Sequence, residues 1–161
     1  PYGGVNLAVS GLVDSIQVIY NIFEQRPAER LFPSAIKGRT GIIVRVPFEE
    51  GLLTGTFHPG YQFSKGDWRA DWLTPERLEQ AWPRLEAIRK FLTPDHPTLA
   101  SLALKFSLSH PAVSTVIPGM RWRTHVEANA IVSDGVLLDQ ETLNELYKHA
   151  FVHGWFYPWN A

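Results

Sequence analysis

Three short apolar runs stand out from an otherwise mixed pattern of polar and hydrophobic positions. They lie at residues 15–20 (SIQVIY), 41–46 (GIIVRV) and 112–117 (AVSTVI), and each is rich in Val and Ile and stops at a polar residue or a proline. Continuous apolar runs of this length are typical of strands buried in a parallel sheet. The pattern therefore predicts three buried strands.

Between and after these runs, apolar residues recur at helical spacing. A short helix is predicted over residues 28–35, and a longer one is predicted from an N-cap at Thr74 to about Leu92. An amphipathic helix over residues 98–109 leads directly into the third apolar run. Two further helices are predicted, one over residues 124–130 and one from an N-cap at Asp139 to Tyr147.

Strands that alternate with helical crossovers indicate parallel βα units, in either a doubly wound sheet or a (β/α)8 barrel. The chain has 161 residues, which we treat as a single domain over 1–161. A closed eight-stranded barrel usually needs about 250 residues, so this chain can supply only about half of one. Half a barrel would leave two open strand edges that need a partner.

The first residues pose a problem of spacing. Residues 3–6 (GGVN) resemble the end of a strand, but only about ten residues separate them from Gln17, whereas a parallel crossover usually takes a dozen or more. We therefore expect missing sequence before residue 1 and between about 6 and 14. An intact protein with a mass well above 18.2 kDa would support this hypothesis.

Composition narrows the classes of function. Apolar residues make up 45% of the chain and the formal charge is −1, so no global field attracts nucleic acid or an anionic membrane. Cysteine is absent, which excludes disulfides and thiolate chemistry, and the six histidines are scattered, so no metal site is expected. With no apolar run long enough to span a membrane, we expect a soluble, cytoplasmic protein.

The sharpest local motif lies at residues 116–124 (VIPGMRWRT), where a buried strand ends in Pro-Gly and is followed by two arginines and a helix start. A glycine lets a ligand approach the backbone, a helix N-terminus offers unpaired N–H groups, and guanidinium groups can grip phosphate. The motif thus indicates an anion-binding turn. The alternative is a tight strand-to-helix turn with solvated arginines.

Residues 102–129 (LALKFSLSHPAVSTVIPGMRWRTHVEAN) resemble the aldo-keto reductase pattern ALRWVLSHPAVSTVIPGARxxxQVxEN at the last barrel strand. The resemblance implies an NADP(H) site, with NAD(H) as the other candidate cofactor. It places the 2′-phosphate turn at Gly119 and Arg121, with Met120 between them, and an adenine contact at Asn129. It places His125 at a position that is usually Gln or Arg, where the ring could donate to phosphate or stack on adenine; the alternative is an exposed helix histidine. Met120 departs from the small or hydroxylated residue of the family, and Ala128 departs from the usual Glu; these departures bear on the preference between NADP(H) and NAD(H) rather than on cofactor binding itself.

Residues 45–55 (RVPFEEGLLTG) resemble the family's YSPLxxGLLTG at the penultimate strand. The resemblance places Arg45 where many members stack an aromatic ring on the nicotinamide. The backbone of the following turn would cover the pyrophosphate, and the residues carried over are Val46, Pro47, Phe48, Gly51 and Leu53. The alternative for Arg45 is an ion pair with Glu49 or Glu50.

Two weaker matches complete the implied site. Residues 16–21 (IQVIYN) are similar to the QVEYN run of the sixth strand, where Gln17 would bind the nicotinamide carboxamide; the alternative is a hydrogen bond to a neighbouring strand. Residues 66–72 (GDWRADW) resemble a loop that folds over the cofactor in some relatives, with Arg69 as a pyrophosphate contact.

Together these matches imply an α/β fold, a (β/α)8 TIM barrel of which the chain supplies strands six to eight, with residues 3–6 as a candidate for the end of strand five. The implied activity is NADP(H)-dependent reduction of an aldehyde or ketone, or oxidation of the alcohol. The family's catalytic Asp, Tyr, Lys and His belong to the half that this chain lacks, so the segment alone is expected to be inactive and to need the missing N-terminal half as a partner. The alternatives are an NADP(H)-binding regulatory subunit similar to potassium-channel β subunits, or a half-barrel interaction module.

Overall fold

The chain folds as an α/β unit around a small parallel sheet, as seen in a computed structural model that describes residues 2–153. The strands β1 (Ser15–Ile19), β2 (Gly41–Arg45) and β3 (Val113–Ile117) lie side by side in that order. Both strand pairs are parallel. The three apolar runs therefore form strands, and the prediction of parallel βα units is confirmed.

The predicted helices are present, with ends that differ by a few residues. Side chains of Thr74, Thr98 and Asp139 cap the starts of three of them. The α-helices of the described residues are α1 (Tyr2–Ser10), α2 (Pro27–Gly38), α3 (Pro75–Arg89), α4 (Leu99–Leu108), α5 (Arg123–Ala130) and α6 (Gln140–Tyr147). Two 3-10 segments span Glu49–Thr54 and Trp68–Asp71.

The two faces of the sheet have different environments. Ile42 and Val44 of the central strand are fully buried against the helices. The opposite face carries two rows of side chains, since the strand register aligns Gln17 with Ile43 and Thr115, and Ile19 with Arg45 and Ile117. We call these six residues the open face; described residues bury none of them, and Ile117 is 45% exposed. Burial of the strands on both faces is therefore not seen within the described residues.

Aromatic rings fill the core between the sheet and the helices. Tyr20, which directly follows β1, stacks on Phe106 of α4 with ring centroids 5.3 Å apart. Phe32 of α2 meets Tyr20 edge-on at 4.8 Å. All three rings are fully buried. Because Tyr20 follows β1 while Phe32 and Phe106 belong to α2 and α4, the three rings pack the first strand against both helices. Large rings bury more area than most other side chains.

The expectation of a strand end at residues 3–6 is wrong, because these residues belong to α1. This helix packs against α2 so closely that a Cβ at Gly38 would lie 1.7 Å from the carbonyl oxygen of Ala8. The same oxygen accepts a hydrogen bond from Thr40 Oγ1 at 2.8 Å. With α1 leading directly into β1, the spacing argument no longer applies. Missing residues between about 6 and 14 remain a prediction that an intact mass would test.

His110 gives the fold a predictable pH dependence. Its ring meets Phe32 edge-on at 4.6 Å, and its Nδ1 accepts the Ala112 N–H at 3.1 Å, which requires an unprotonated nitrogen. Burial lowers the pKa of His110 below its usual value near 6.5. As the pH falls, His110 therefore takes up a proton in the unfolded chain before it does so in the folded chain. The free energy of unfolding consequently decreases below about pH 6.5, by at most about 1.4 kcal/mol per pH unit.

Urea unfolding between pH 7.5 and 5 would measure this dependence. We expect the slope of unfolding free energy against pH to be shallower in His110→Asn, whose side-chain oxygen can still accept from Ala112. Identical slopes for the variant and the wild type would contradict the prediction.

Candidate functional site

The carboxyl ends of the three parallel strands meet at one edge of the sheet. Arg45 is the last residue of β2, and the strand register places it between Ile19 and Ile117, the last residues of the neighbouring strands. Gln17 lies two positions before Ile19 and is therefore on the same face. The structure thus brings Gln17 and Arg45, both expected at a cofactor, onto the open face near this edge.

Neither Gln17 nor Arg45 makes the contact that the alternative interpretation of its role predicts. The Gln17 amide is exposed and makes no hydrogen bond with a described residue, so it is not bound to a neighbouring strand. Arg45 is half-buried and forms no ion pair with Glu49, Glu50 or any other described residue. Both groups are available to a ligand on the open face.

The chain leaves β2 through a strained turn, residues 46–51, which we call the 46–51 turn. Val46, Glu49 and Glu50 have φ values of 53°, 46° and 51°, a region that costs a non-glycine residue about 1–3 kcal/mol. Gly51 has φ of 102°, and a Cβ there would lie 2.6 Å from the Phe57 ring. The glycine is therefore required both by its backbone and by close packing.

Asn21, two residues after the end of β1, holds this turn from the side of the neighbouring strand. Its Nδ2 donates to the carbonyl of Val46 at 2.9 Å and to Glu49 Oε2 at 2.6 Å. Its Oδ1 accepts the backbone N–H groups of Phe23 and Glu24, both at 2.9 Å. A side-chain amide offers two donor hydrogens and an oxygen with two lone pairs, so all the capacity of this buried residue is used.

Glu49 connects Asn21 to the end of the described chain. Its carboxylate is 2% exposed, and its Oε1 lies 3.3 Å from His153 Nε2. We call Asn21, Glu49 and His153 the polar cluster. From the sequence alone, Glu49 is only an alternative ion-pair partner for Arg45, and Asn21 and His153 have no predicted role. An Asn directly after a strand was the one available signal, since Asn favours such turns; nothing in the sequence pointed to His153.

The end of β3 forms a second turn with open space beside it. A Cβ at Gly119 would meet no atom within 4 Å, and the Gly119 carbonyl accepts from Asn129 Nδ2 of α5 at 3.3 Å. Met120 and Asn129 also line a cavity of about 170 Å³ between α4, β3 and α5. Asn129 therefore fixes the turn, while Gly119 leaves its backbone accessible.

Cationic side chains surround this second turn. Arg121 is exposed, lies 5.3 Å from the Trp122 ring centroid and makes no ion pair with a described residue. Arg123 differs, because its Nε donates to Glu127 at 2.7 Å. His125 is exposed in the first turn of α5. Arg121 is thus the arginine at this turn that could bind an anion without giving up an ion pair.

Other predicted contacts are less accessible. Leu53 is fully buried in the core and Pro47 is buried, so either could reach a ligand only through its backbone. Phe48 is half-buried and packs against the core. Arg69 donates through Nε and Nη2 to both carboxylate oxygens of Asp67, at 2.8 and 2.6 Å, and this contact lowers the pKa of Asp67. A phosphate would have to compete with Asp67 for Arg69.

In the part of the chain that the structure describes, no group of three or more His, Asp or Glu side chains is arranged to hold a metal ion. No helix in residues 2–153 is both long and apolar enough to cross a membrane.

Comparison with solved structures identifies the fold class. The chain is similar to an aldo-keto reductase from Bacillus halodurans in its holo form, at 27% identity with a TM-score of 0.61, over 86% of this chain and 42% of that one. Its apo form matches at 28% identity with a TM-score of 0.60, over 85% and 43%. Glycerol dehydrogenase from Gluconobacter oxydans shares the fold at 20% identity with a TM-score of 0.72, over 84% and 41%.

The chain thus spans less than half the length of these structures. The partial coverage and the parallel strands confirm the α/β class and a partial (β/α)8 barrel. The sequence itself matches the family described as the aldo/keto reductase family over residues 11–150. The chain therefore belongs to the aldo/keto reductase family, a family of oxidoreductases. No curated protein matches it.

Proposed function

We propose that this chain provides the cofactor-binding cleft of an NADP(H)-dependent aldo-keto reductase that reduces an aldehyde or ketone, or oxidises the corresponding alcohol. The observation that carries the proposal is the turn after β3. There, an accessible glycine backbone at Gly119 stands beside Arg121, which has no ion pair with a described residue. A guanidinium group that can form paired hydrogen bonds suits a phosphate monoester better than a neutral ligand.

The residues on the open face fit the rest of such a cofactor. The amide of Gln17 can exchange hydrogen bonds with a carboxamide, and the planar guanidinium of Arg45 can stack on an aromatic ring or pair with a substrate carboxylate. When bound, the nicotinamide would accept or donate the hydride. The proton of the reaction would come from residues outside this chain, for which the family's Asp, Tyr, Lys and His are the expectation.

We further propose that the remainder of the barrel covers the open face. Ile19, Ile43 and Ile117 would then become core residues, and the outer edges of β1 and β3 would find partner strands. Ile117 is 45% exposed, and exposed apolar side chains and unpaired strand edges are both liabilities in a soluble protein, which supports a closed arrangement. The apolar side chains of Val126 and Ile131, 43% and 78% exposed, would be covered in the same way.

Titration of the full-length protein with NADPH tests the proposed function. The chain contains six tryptophans, so quenching of protein fluorescence and the change in nicotinamide emission can both report binding. NADH titrated in parallel would measure the preference for the 2′-phosphate. Absence of binding by either cofactor would overturn the proposal.

Arg121→Ala tests the assignment of the 2′-phosphate. We expect this change to weaken NADPH binding by about 1.5–3 kcal/mol, the size of a charged hydrogen bond, and to affect NADH far less. Arg123→Ala is the matched control, because that guanidinium is already paired with Glu127. Equal losses for the two cofactors in Arg121→Ala would place Arg121 away from the 2′-phosphate.

A further inference from the structure

We infer that Glu49 is a positioning residue, whose buried carboxylate holds the 46–51 turn in its binding conformation and couples that turn to residues 150–153. The part of this inference that concerns the cofactor rests on the proposed function. The conformational part stands on the geometry of the polar cluster alone.

The 46–51 turn needs external contacts to keep its shape. Three of its non-glycine residues have positive φ, and such conformations persist only where the surrounding structure imposes them. Two of the three strained residues, Val46 and Glu49, are bound by the same Asn21 amide, through a backbone carbonyl and a carboxylate respectively. Asn21 is itself fixed by the backbone N–H groups of Phe23 and Glu24, in the segment that follows β1. The turn is therefore held against the neighbouring strand.

A buried carboxylate at this place has two costs, which a structural role would explain. Removing a charge from water costs several kcal/mol when it is unpaired. A negative charge beside the turn would also repel a phosphate-bearing ligand. Asn21 and His153 supply the direct polar contacts of the Glu49 carboxylate. The arrangement is explained if the carboxylate orients the turn rather than contacting the ligand.

The cluster also reaches a distant part of the sequence. Besides the contact between His153 and Glu49, the N–H of Phe151 donates to the carbonyl of Phe23 at 2.9 Å, and the two Phe rings meet edge-on at 5.8 Å. The guanidinium of Arg84, in α3, lies over the Phe151 ring, 4.0 Å from its centroid. Residues 150–153 are thus packed against the chain that follows β1 and bound to the turn that follows β2.

Glu49→Ala and Glu50→Ala in the full-length protein form a matched pair. Both changes remove one negative charge from the same turn at a residue with positive φ, but Glu49 belongs to the polar cluster and Glu50 is half-buried outside it. Loss of charge alone should leave the binding of anionic NADPH unchanged or make it tighter. We expect Glu49→Ala to weaken NADPH at least about tenfold, the effect of losing about 1.4 kcal/mol, and Glu50→Ala not to weaken it.

Hydrogen exchange without cofactor gives a readout that does not depend on the proposed function. Glu49→Ala should speed exchange of amides in residues 46–51 and 150–153 together, and Glu50→Ala should leave 150–153 unchanged. His153→Ala should speed exchange in residues 46–51, although it lies about 100 positions further along the chain. If Glu49→Ala does not fold, His153→Ala still provides the test.

The outcomes separate the two proposals. Unchanged exchange in residues 46–51 in both Glu49→Ala and His153→Ala would overturn the positioning role, as would equal weakening of NADPH by Glu49→Ala and Glu50→Ala. If the variants show the expected exchange pattern but the wild-type protein does not bind NADPH, the coupling is supported and the proposed function is rejected.

Discussion

Asn21→Asp should destabilise the protein by about 3–5 kcal/mol at pH 7, the range measured when a buried charge loses its partner. The substitution keeps the shape of the side chain but replaces the Nδ2 donor with an acceptor. A carboxylate oxygen would then face Glu49 Oε2 and the Val46 carbonyl at the distances of the present hydrogen bonds, 2.6 and 2.9 Å. The two backbone N–H groups that bind Oδ1 would still be satisfied, so the loss reports the contacts to the turn.

Denaturant unfolding of the full-length protein would measure this loss. Asn144→Asp is the matched control, because Asn144 is exposed on α6 and accepts a hydrogen bond from Gln140. Its effect should stay within about 0.5 kcal/mol, as is usual for surface changes. A loss below about 1 kcal/mol in Asn21→Asp would mean that the amide contributes little to holding the turn.

Phe106→Ala should be comparably destabilising, by about 3–5 kcal/mol, because the ring is fully buried and its removal leaves a cavity. Phe106 stacks on Tyr20 at 5.3 Å and meets Tyr147 of α6 edge-on at 5.6 Å, so the change weakens contacts to β1 and to α6 at once. Phe106→Leu retains most of the volume and should cost less than half as much. Similar losses for the two variants would show that the site collapses around the smaller side chain.

The fold could be predicted from the sequence wherever a local pattern matched a tertiary environment. The strand at residues 41–45 and the helix capped by Thr98 follow from side chains that prefer those structures in isolation. The error at residues 3–6 arose because two adjacent glycines favour a turn or a strand end. Here they lie in α1, close to α2, and Gly4 would place a Cβ 3.6 Å from Leu31. The packing of α1 against α2 therefore outweighs the local preference of the two glycines for a turn.

For the candidate site as well, only some of the residues could be predicted from the sequence. Arg121 and Gly119 could be found because the turn, its glycine and its charge are contiguous in the sequence. The polar cluster could not, since 28 residues separate Asn21 from Glu49 and His153 comes from the end of the described chain. Nothing in the composition near Glu49 distinguishes it from Glu50. The difference between a buried acceptor and a half-buried neighbour arises only once the strands are paired.

Helix α5 buries none of its side chains within the described residues, which bears on the order in which the protein is built. It has eight residues, fewer than the roughly 12–15 that an isolated helix needs to be even marginally stable in water. Ribosomal synthesis delivers β1, β2 and α4 before α5, and they can pack on one another at once. In the proposed barrel, the remainder of the protein would cover the exposed apolar side chains of α5 and stabilise this short helix. Closure of the ring would then be a late event of folding, after most of the polypeptide has left the ribosome.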